Sequence, residues 1–91
     1  MAETFVNVWD ALEDGSETAA NLKLRSELMV EITHIIRKNN WTQREAAKRC
    51  GVTQPRMSDL MQGKMAKFSL DALVNMATAM GWKVELLVHA G

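Results

Sequence analysis

The chain contains little of what several large classes of protein require. One cysteine excludes an internal disulfide framework, and together with two histidines it supplies too few ligands for a tetrahedral zinc site. No run of about 18 apolar residues occurs, and the N-terminus is acidic where a secretory signal would be basic and then apolar. We therefore expect a cytoplasmic protein that has no cofactor, no metal and no membrane partner.

The net charge of zero conceals a segregation of charge along the chain. Residues 1–31 contain seven acidic and two basic residues, whereas residues 32–67 contain eight basic and two acidic residues. A basic middle region favours one face that binds an anionic partner. An ordinary solvated surface is the alternative that the composition alone allows.

The first 40 residues have the apolar spacing of two helices. Phe5, Val8, Trp9 and Leu12 predict a short helix over residues 4–13, and a strand is the weaker interpretation of the same stretch. Ser16 can cap a second, longer helix that ends near residues 38–40. The buried stripe expected for this helix consists of Leu24, Leu28, Ile32, Ile35 and Ile36.

The stretch "TQREAAKRCGVTQPRMSDLMQG" predicts two short helices separated by a turn. Thr42 and Glu45 can form a capping box at the start of the first helix, and Gly51 can end it. Thr53 can cap the second helix, where Pro55 falls in the first turn and is therefore tolerated. A tight glycine turn between two helices is typical of the helix-turn-helix motif.

In a helix-turn-helix motif the N-terminal part of the second helix enters the major groove of DNA. Met57, Leu60 and Met61 define the inner side of this helix, so its outer side is polar. Glutamine can read adenine, arginine can read guanine, and proline can contact a thymine methyl group. Asp59 could orient Arg56 or accept a hydrogen bond from cytosine, and the lysines at 64 and 67 are placed for phosphate.

The segments "GVTQPRMSDLMQGK" and "KFSLDALVNMATAMGWKVEL" resemble the phage-repressor-like (XRE) family and, more narrowly, the small antitoxins of HigA type. The resemblance implies a homodimer that binds double-stranded operator DNA and represses its own promoter. It also implies a toxin partner, commonly an mRNA-cleaving ribonuclease, which the acidic N-terminal third would contact if that toxin is basic. Geometry and resemblance together predict these DNA-binding residues: Gln43, Thr53, Gln54, Pro55, Arg56, Ser58, Asp59, Gln62 and Lys64.

The C-terminal region predicts a fourth helix followed by a strand. Ser69 can cap the helix and Gly81 can end it, with an inner stripe of Leu70, Leu73, Val74, Ala77 and Met80. The segment "WKVELLVHA" then alternates apolar and polar residues. We predict that it pairs with the same strand of a second copy; an edge strand packed on the chain's own N-terminal segment is the alternative. The predicted dimerisation residues are Trp82, Val84, Leu86 and Val88.

These patterns predict a mainly α fold, a four- to five-helix phage-repressor-like domain with a C-terminal β-strand paired across a dimer. We expect one domain over residues 1–91: an N-terminal helix and acidic segment (1–15), the helix-turn-helix core (16–81) and the dimerisation strand (82–91). The predicted function is that of a DNA-binding repressor and antitoxin. A solitary XRE-type regulator and a protein-interaction module are the alternatives, and no pattern of catalytic residues points to an enzyme.

Overall fold

The computed structural model describes residues 19–90. The helix predicted over residues 4–13 and the cap predicted at Ser16 lie outside the described residues. The elements are α1 (Ala19–Lys38), α2 (Gln43–Cys50), α3 (Gln54–Met61), a 3₁₀ turn (Met65–Lys67) and α4 (Leu70–Ala79). The mainly α prediction and the end of the long helix near residues 38–40 are therefore confirmed.

Three helices begin at the side-chain caps that the sequence predicts. The Thr42 hydroxyl accepts a hydrogen bond from the Glu45 amide at 3.1 Å. The hydroxyls of Thr53 and Ser69 accept in the same way from the amides three residues later, at 3.3 and 3.1 Å. Each cap satisfies a backbone donor that the helix itself leaves unpaired. In a complete capping box the Glu45 carboxylate would accept a hydrogen bond from the Thr42 amide. Here it accepts one from Arg49 Nε at 2.8 Å instead.

One closing motif ends all four α-helices of residues 19–90. A residue in the left-handed region follows the helix, and the next amide donates back to the carbonyl five residues earlier, which is the Schellman arrangement. Three of these residues are glycines and the fourth is Asn40, with φ of 57°. The closing bonds run from Trp41 to Ile36, from Val52 to Ala47, from Lys64 to Asp59 and from Trp82 to Ala77, at 3.0–3.1 Å.

The four helices enclose one apolar core. α1 packs along α4, α2 packs against both α3 and α4, and the 3₁₀ turn lies against α1. The largest side chains that are completely buried are Phe68, Ile32, Ile36, Met57, Leu60 and Leu73. The small residues Ala46 and Ala47 of α2 are also buried, which allows α2 to approach its neighbours closely.

The buried face of α1 differs from the predicted stripe in its first half. Ile32, Ile35 and Ile36 are buried as predicted, but Leu24 and Leu28 are only half-buried. Arg25 and Met29 take the inner positions instead. The physical reason is a tertiary contact, because one guanidinium nitrogen of Arg25 donates to the Met65 and Phe68 carbonyls, at 3.2 Å each.

The buried face of α4 is narrower than the predicted stripe. Leu73 and Ala77 are buried as predicted, together with Met76, which the predicted stripe omits. Leu70, Val74 and Met80 are half-buried. The inner face of α4 is therefore rotated toward Met76, where α4 contacts both α1 and α2.

The strand predicted over residues 82–91 is not confirmed. No strand is present within residues 19–90, and residues 82–90 have no regular secondary structure. Several apolar side chains of this segment are exposed, including Trp82 at 53% and Leu87 at 80%. A strand requires a hydrogen-bonded partner strand, and a single copy of residues 19–90 provides none.

Candidate nucleic-acid interface

The helix-turn-helix unit consists of α2, α3 and the turn between them. Gly51 has φ of 72°, and its amide and that of Val52 donate to the last carbonyls of α2. The chain then turns, and Thr53 immediately starts α3, with Pro55 in the first turn. The two Thr-Gln pairs of the sequence therefore have one structural role, since each threonine caps a helix and each glutamine is its first residue.

The outer face of α3 is polar from its first residue. Gln54 and Pro55 are exposed at the N-terminal end, and Gln62 is exposed at the other end. The Gln62 side-chain amide donates to the Ser58 hydroxyl at 3.0 Å, so these two side chains form an ordered pair on the surface. This face carries the donors and acceptors that direct readout of base edges requires.

Arg56 connects α3 to the segment that follows it. Its guanidinium lies 4.4 Å from the centre of the Phe68 ring, in cation–π geometry. One guanidinium nitrogen also donates to the Lys67 carbonyl at 3.2 Å. In this arrangement Arg56 links α3 to the 3₁₀ turn and to the ring of Phe68.

Asp59 is paired with two lysines rather than with Arg56. Its carboxylate lies 3.3 Å from the Lys64 amine and 3.4 Å from the Lys67 amine. Burial by itself would raise the pKa of the Asp59 carboxyl, but the hydrogen bonds and charges of Lys64 and Lys67 outweigh it and lower the pKa below its usual range. The sequence predicts that Lys64 and Lys67 bind phosphate. In the structure Asp59 on α3 competes with phosphate for both amines.

The exposed surface of α2 is basic. Gln43 and Arg44 are exposed in its first turn, and Lys48 and Arg49 are exposed in its last. The Arg49 guanidinium lies 4.4 Å from the centre of the Trp41 ring. Its Nε also donates to Glu45, so Arg49 is held by one face and one edge of its guanidinium. Arg44 and Lys48 are exposed.

Cys50 is part of the core and not of a reactive site. Its side chain is 3% exposed, and burial raises the pKa of the thiol to about 11. A raised pKa keeps the thiol protonated and unreactive near neutral pH.

Within residues 19–90, no group of three or more histidine, cysteine or acidic side chains is placed to hold a metal ion. None of the helices in that range has the length and apolar character needed to cross a bilayer.

Sequence reasoning missed two residues that shape this interface. Phe68 is 1% exposed and carries the ring that Arg56 covers, although it belongs to no helical stripe. Arg25 is 4% exposed and donates to the carbonyls of Met65 and Phe68, at the start of the 3₁₀ turn and just after its end. The spacing of apolar residues cannot reveal either one, because their partners are distant in the sequence.

Two short helices joined by a glycine turn, the second exposing a polar face from its capped N-terminus, define a DNA-binding helix-turn-helix domain. A comparison with family models agrees. The chain belongs to the helix-turn-helix domain family, whose model matches residues 11–89. This finding supports the resemblance to XRE-type proteins. Among curated proteins, no sequence matches this chain significantly.

Proposed function

We propose that this protein is a sequence-specific transcriptional repressor that reads DNA bases with the outer face of α3. One observation carries the proposal: Gln54 and Pro55 are exposed at the capped N-terminus of the second helix of a helix-turn-helix unit. Position and chemistry agree, because this part of the motif meets base edges and glutamine can bond adenine through two atoms. Ser58 and Gln62 extend the same face along the helix.

The proposed phosphate contacts lie on α2 and at the N-termini of α2 and α3. Arg44 and Lys48 are exposed on α2, the helix that crosses the DNA backbone in this motif. The N-terminal amides of both helices add partial positive charge close to Gln43 and Gln54. These groups would fix the orientation of the domain on DNA, and side chains of α3 would supply the discrimination between bases.

We further propose that two copies associate through the C-terminal segment. The exposed apolar side chains of residues 82–90 support this proposal, because strand pairing between copies would remove them from water. Trp82, Val84, Leu86 and Val88 remain the predicted contact residues. A two-fold dimer would present two copies of α3 to half-sites roughly 34 Å apart.

We expect the protein to bind DNA from immediately upstream of its own gene roughly a thousandfold or more tightly than a scrambled sequence of equal length and composition. Affinity for both should fall as salt rises, since bound phosphates release counterions. Fluorescence anisotropy at two salt concentrations measures both effects. Equal, weak and steeply salt-dependent binding to both DNAs would mean phosphate attraction alone, and a protein-interaction module would then be the better account.

We also propose, from the resemblance to HigA-type proteins, that the repressor is the antitoxin of a toxin-antitoxin pair and has no enzymatic activity of its own. The acidic N-terminal third supports a basic toxin as its partner. Replacing Asp10, Glu13 and Asp14 by their amides should weaken the complex with the product of the neighbouring gene, measured by calorimetry, and leave DNA affinity intact. Unchanged toxin affinity would contradict this role for the acidic segment.

A further inference from the structure

Three charged side chains form a cluster near the C-terminal end of α3. One oxygen of the Asp59 carboxylate lies 3.3 Å from the Lys64 amine, and the other lies 3.4 Å from the Lys67 amine. The Asp59 side chain is 23% exposed, whereas those of Lys64 and Lys67 are 45% and 55% exposed. One carboxylate therefore holds the amines of two lysines that solvent can reach.

This cluster lies beside the face of α3 that reads bases in the proposed function. Asp59 follows Pro55 by four residues and precedes Gln62 by three, and residues at these spacings lie on the same side of a helix. Pro55 and Gln62 are both exposed. A negative charge on this side of α3 is repelled by DNA phosphates, and the two paired lysines offset that charge.

The backbone holds both lysines near Asp59 independently of the ion pairs. The Lys64 amide donates to the Asp59 carbonyl, and the Lys67 amide donates to the Lys64 carbonyl, at 3.1 Å each. The Lys67 carbonyl in turn accepts a hydrogen bond from Arg56 at 3.2 Å. Exposed ion pairs contribute little when two mobile side chains must be ordered to form them. Here the ordered main chain reduces that cost, which helps the carboxylate to compete with phosphate for both amines.

We propose that Asp59 limits the affinity of the domain for DNA by holding Lys64 and Lys67 away from phosphates, an inference that rests on the proposed function. An amine that binds phosphate releases about one counterion from DNA and strengthens binding to any sequence. Phosphates are the same in every sequence, so the restraint acts equally on all DNA. Asp59 is then a positioning residue that sets overall affinity, while Gln54 and Pro55 discriminate between bases.

The variant Asp59→Asn in the full-length chain tests this role, because asparagine keeps the size of the side chain and loses the charge that attracts the amines. Glu31→Gln is the matched control, since it removes one negative charge from an exposed position on α1. Circular dichroism first establishes that both variants fold. Fluorescence anisotropy at several salt concentrations then gives the affinity for scrambled and upstream DNA.

Asp59→Asn should bind both DNAs about tenfold more tightly than wild type at low salt. The slope of log affinity against log salt should become steeper by about 1.8, the value for two additional phosphate contacts. Glu31→Gln should stay within about twofold of wild-type affinity, because its charge holds no lysine of the cluster.

A double-mutant cycle identifies the amines that Asp59 holds. In a chain that also carries Lys64→Met and Lys67→Met, Asp59→Asn should steepen the salt slope by less than about 0.5, because no amine is left to be released. Both backgrounds lose the same negative charge, so the difference between them reports the released lysines. Equal steepening in the two backgrounds would overturn the proposal, and so would an unchanged affinity and slope in Asp59→Asn alone.

Two further outcomes separate this inference from the proposed function. A selective loss of affinity for upstream DNA in Asp59→Asn would overturn the restraint and would make Asp59 a base-reading residue. Equal affinity of the wild type for upstream and scrambled DNA would contradict the proposed function. In that case the salt slopes on scrambled DNA still decide whether Asp59 restrains the two lysines.

Discussion

Replacing Phe68 by alanine is expected to lower the free energy of unfolding by about 3–5 kcal/mol. The ring is 1% exposed at the centre of the core, so its removal leaves a cavity that the surrounding helices cannot fill completely. The substitution also removes the aromatic face on which the Arg56 guanidinium rests. In a domain of this size the melting temperature should fall by at least about 12 °C.

Thermal and urea unfolding followed by circular dichroism measure this effect, and Phe68→Leu is the matched control. Leucine restores most of the buried volume and should cost about 1–1.5 kcal/mol. A loss below about 1 kcal/mol for Phe68→Ala would contradict the central position of this side chain, because large buried aromatic residues cost several times more.

The second large loss of stability is expected when Arg25 is replaced. Changing Arg25 to methionine should lower the free energy of unfolding by about 3 kcal/mol, because the Met65 and Phe68 carbonyls lose a charged donor inside the protein. Methionine retains the length and apolar character of the side chain, so the loss reports mainly on hydrogen bonding. Urea unfolding measures the change.

Two variants separate the role of Arg25 from general effects of charge. Lys23→Met removes an exposed positive charge from the same helix and should change stability by less than about 0.5 kcal/mol. Arg25→Lys keeps the charge but lacks the planar group that reaches two carbonyls, and it should fall between the two methionine variants. Equal stability of Arg25→Met and Lys23→Met would show that the carbonyl contacts contribute nothing.

The parts of this fold that sequence predicts correctly are governed by neighbouring residues. Thr42, Thr53 and Ser69 cap helices because a hydroxyl can reach an amide three positions later, and this chemistry is visible in the sequence. Gly51 ends α2 because it adopts positive φ at little steric cost. The helix-turn-helix unit could therefore be predicted together with the faces of α3.

The features that sequence misses depend on distant contacts. Arg25 is buried because Met65 and Phe68, which follow it by 40 and 43 residues, offer it two carbonyls. Asp59 pairs with Lys64 and Lys67, and not with Arg56, because the turn at Gly63 brings the lysines back toward α3. Spacing along one helix cannot predict these contacts. Residues 82–90 alternate between apolar and polar side chains, but this segment likewise cannot form a strand until another strand is available to pair with it.

The most direct test of base readout at the start of α3 is the affinity of Gln54→Ala for the upstream DNA. Fluorescence anisotropy measures this affinity for Gln54→Ala, for the wild type and for Asn75→Ala. Asn75 is an exposed amide on α4 and serves as the matched control. We expect Gln54→Ala to lose about 1–3 kcal/mol on upstream DNA, with no change on scrambled DNA or in the salt dependence, while Asn75→Ala binds like wild type. Equal affinity of Gln54→Ala and wild type for the upstream DNA would contradict base readout at the start of α3.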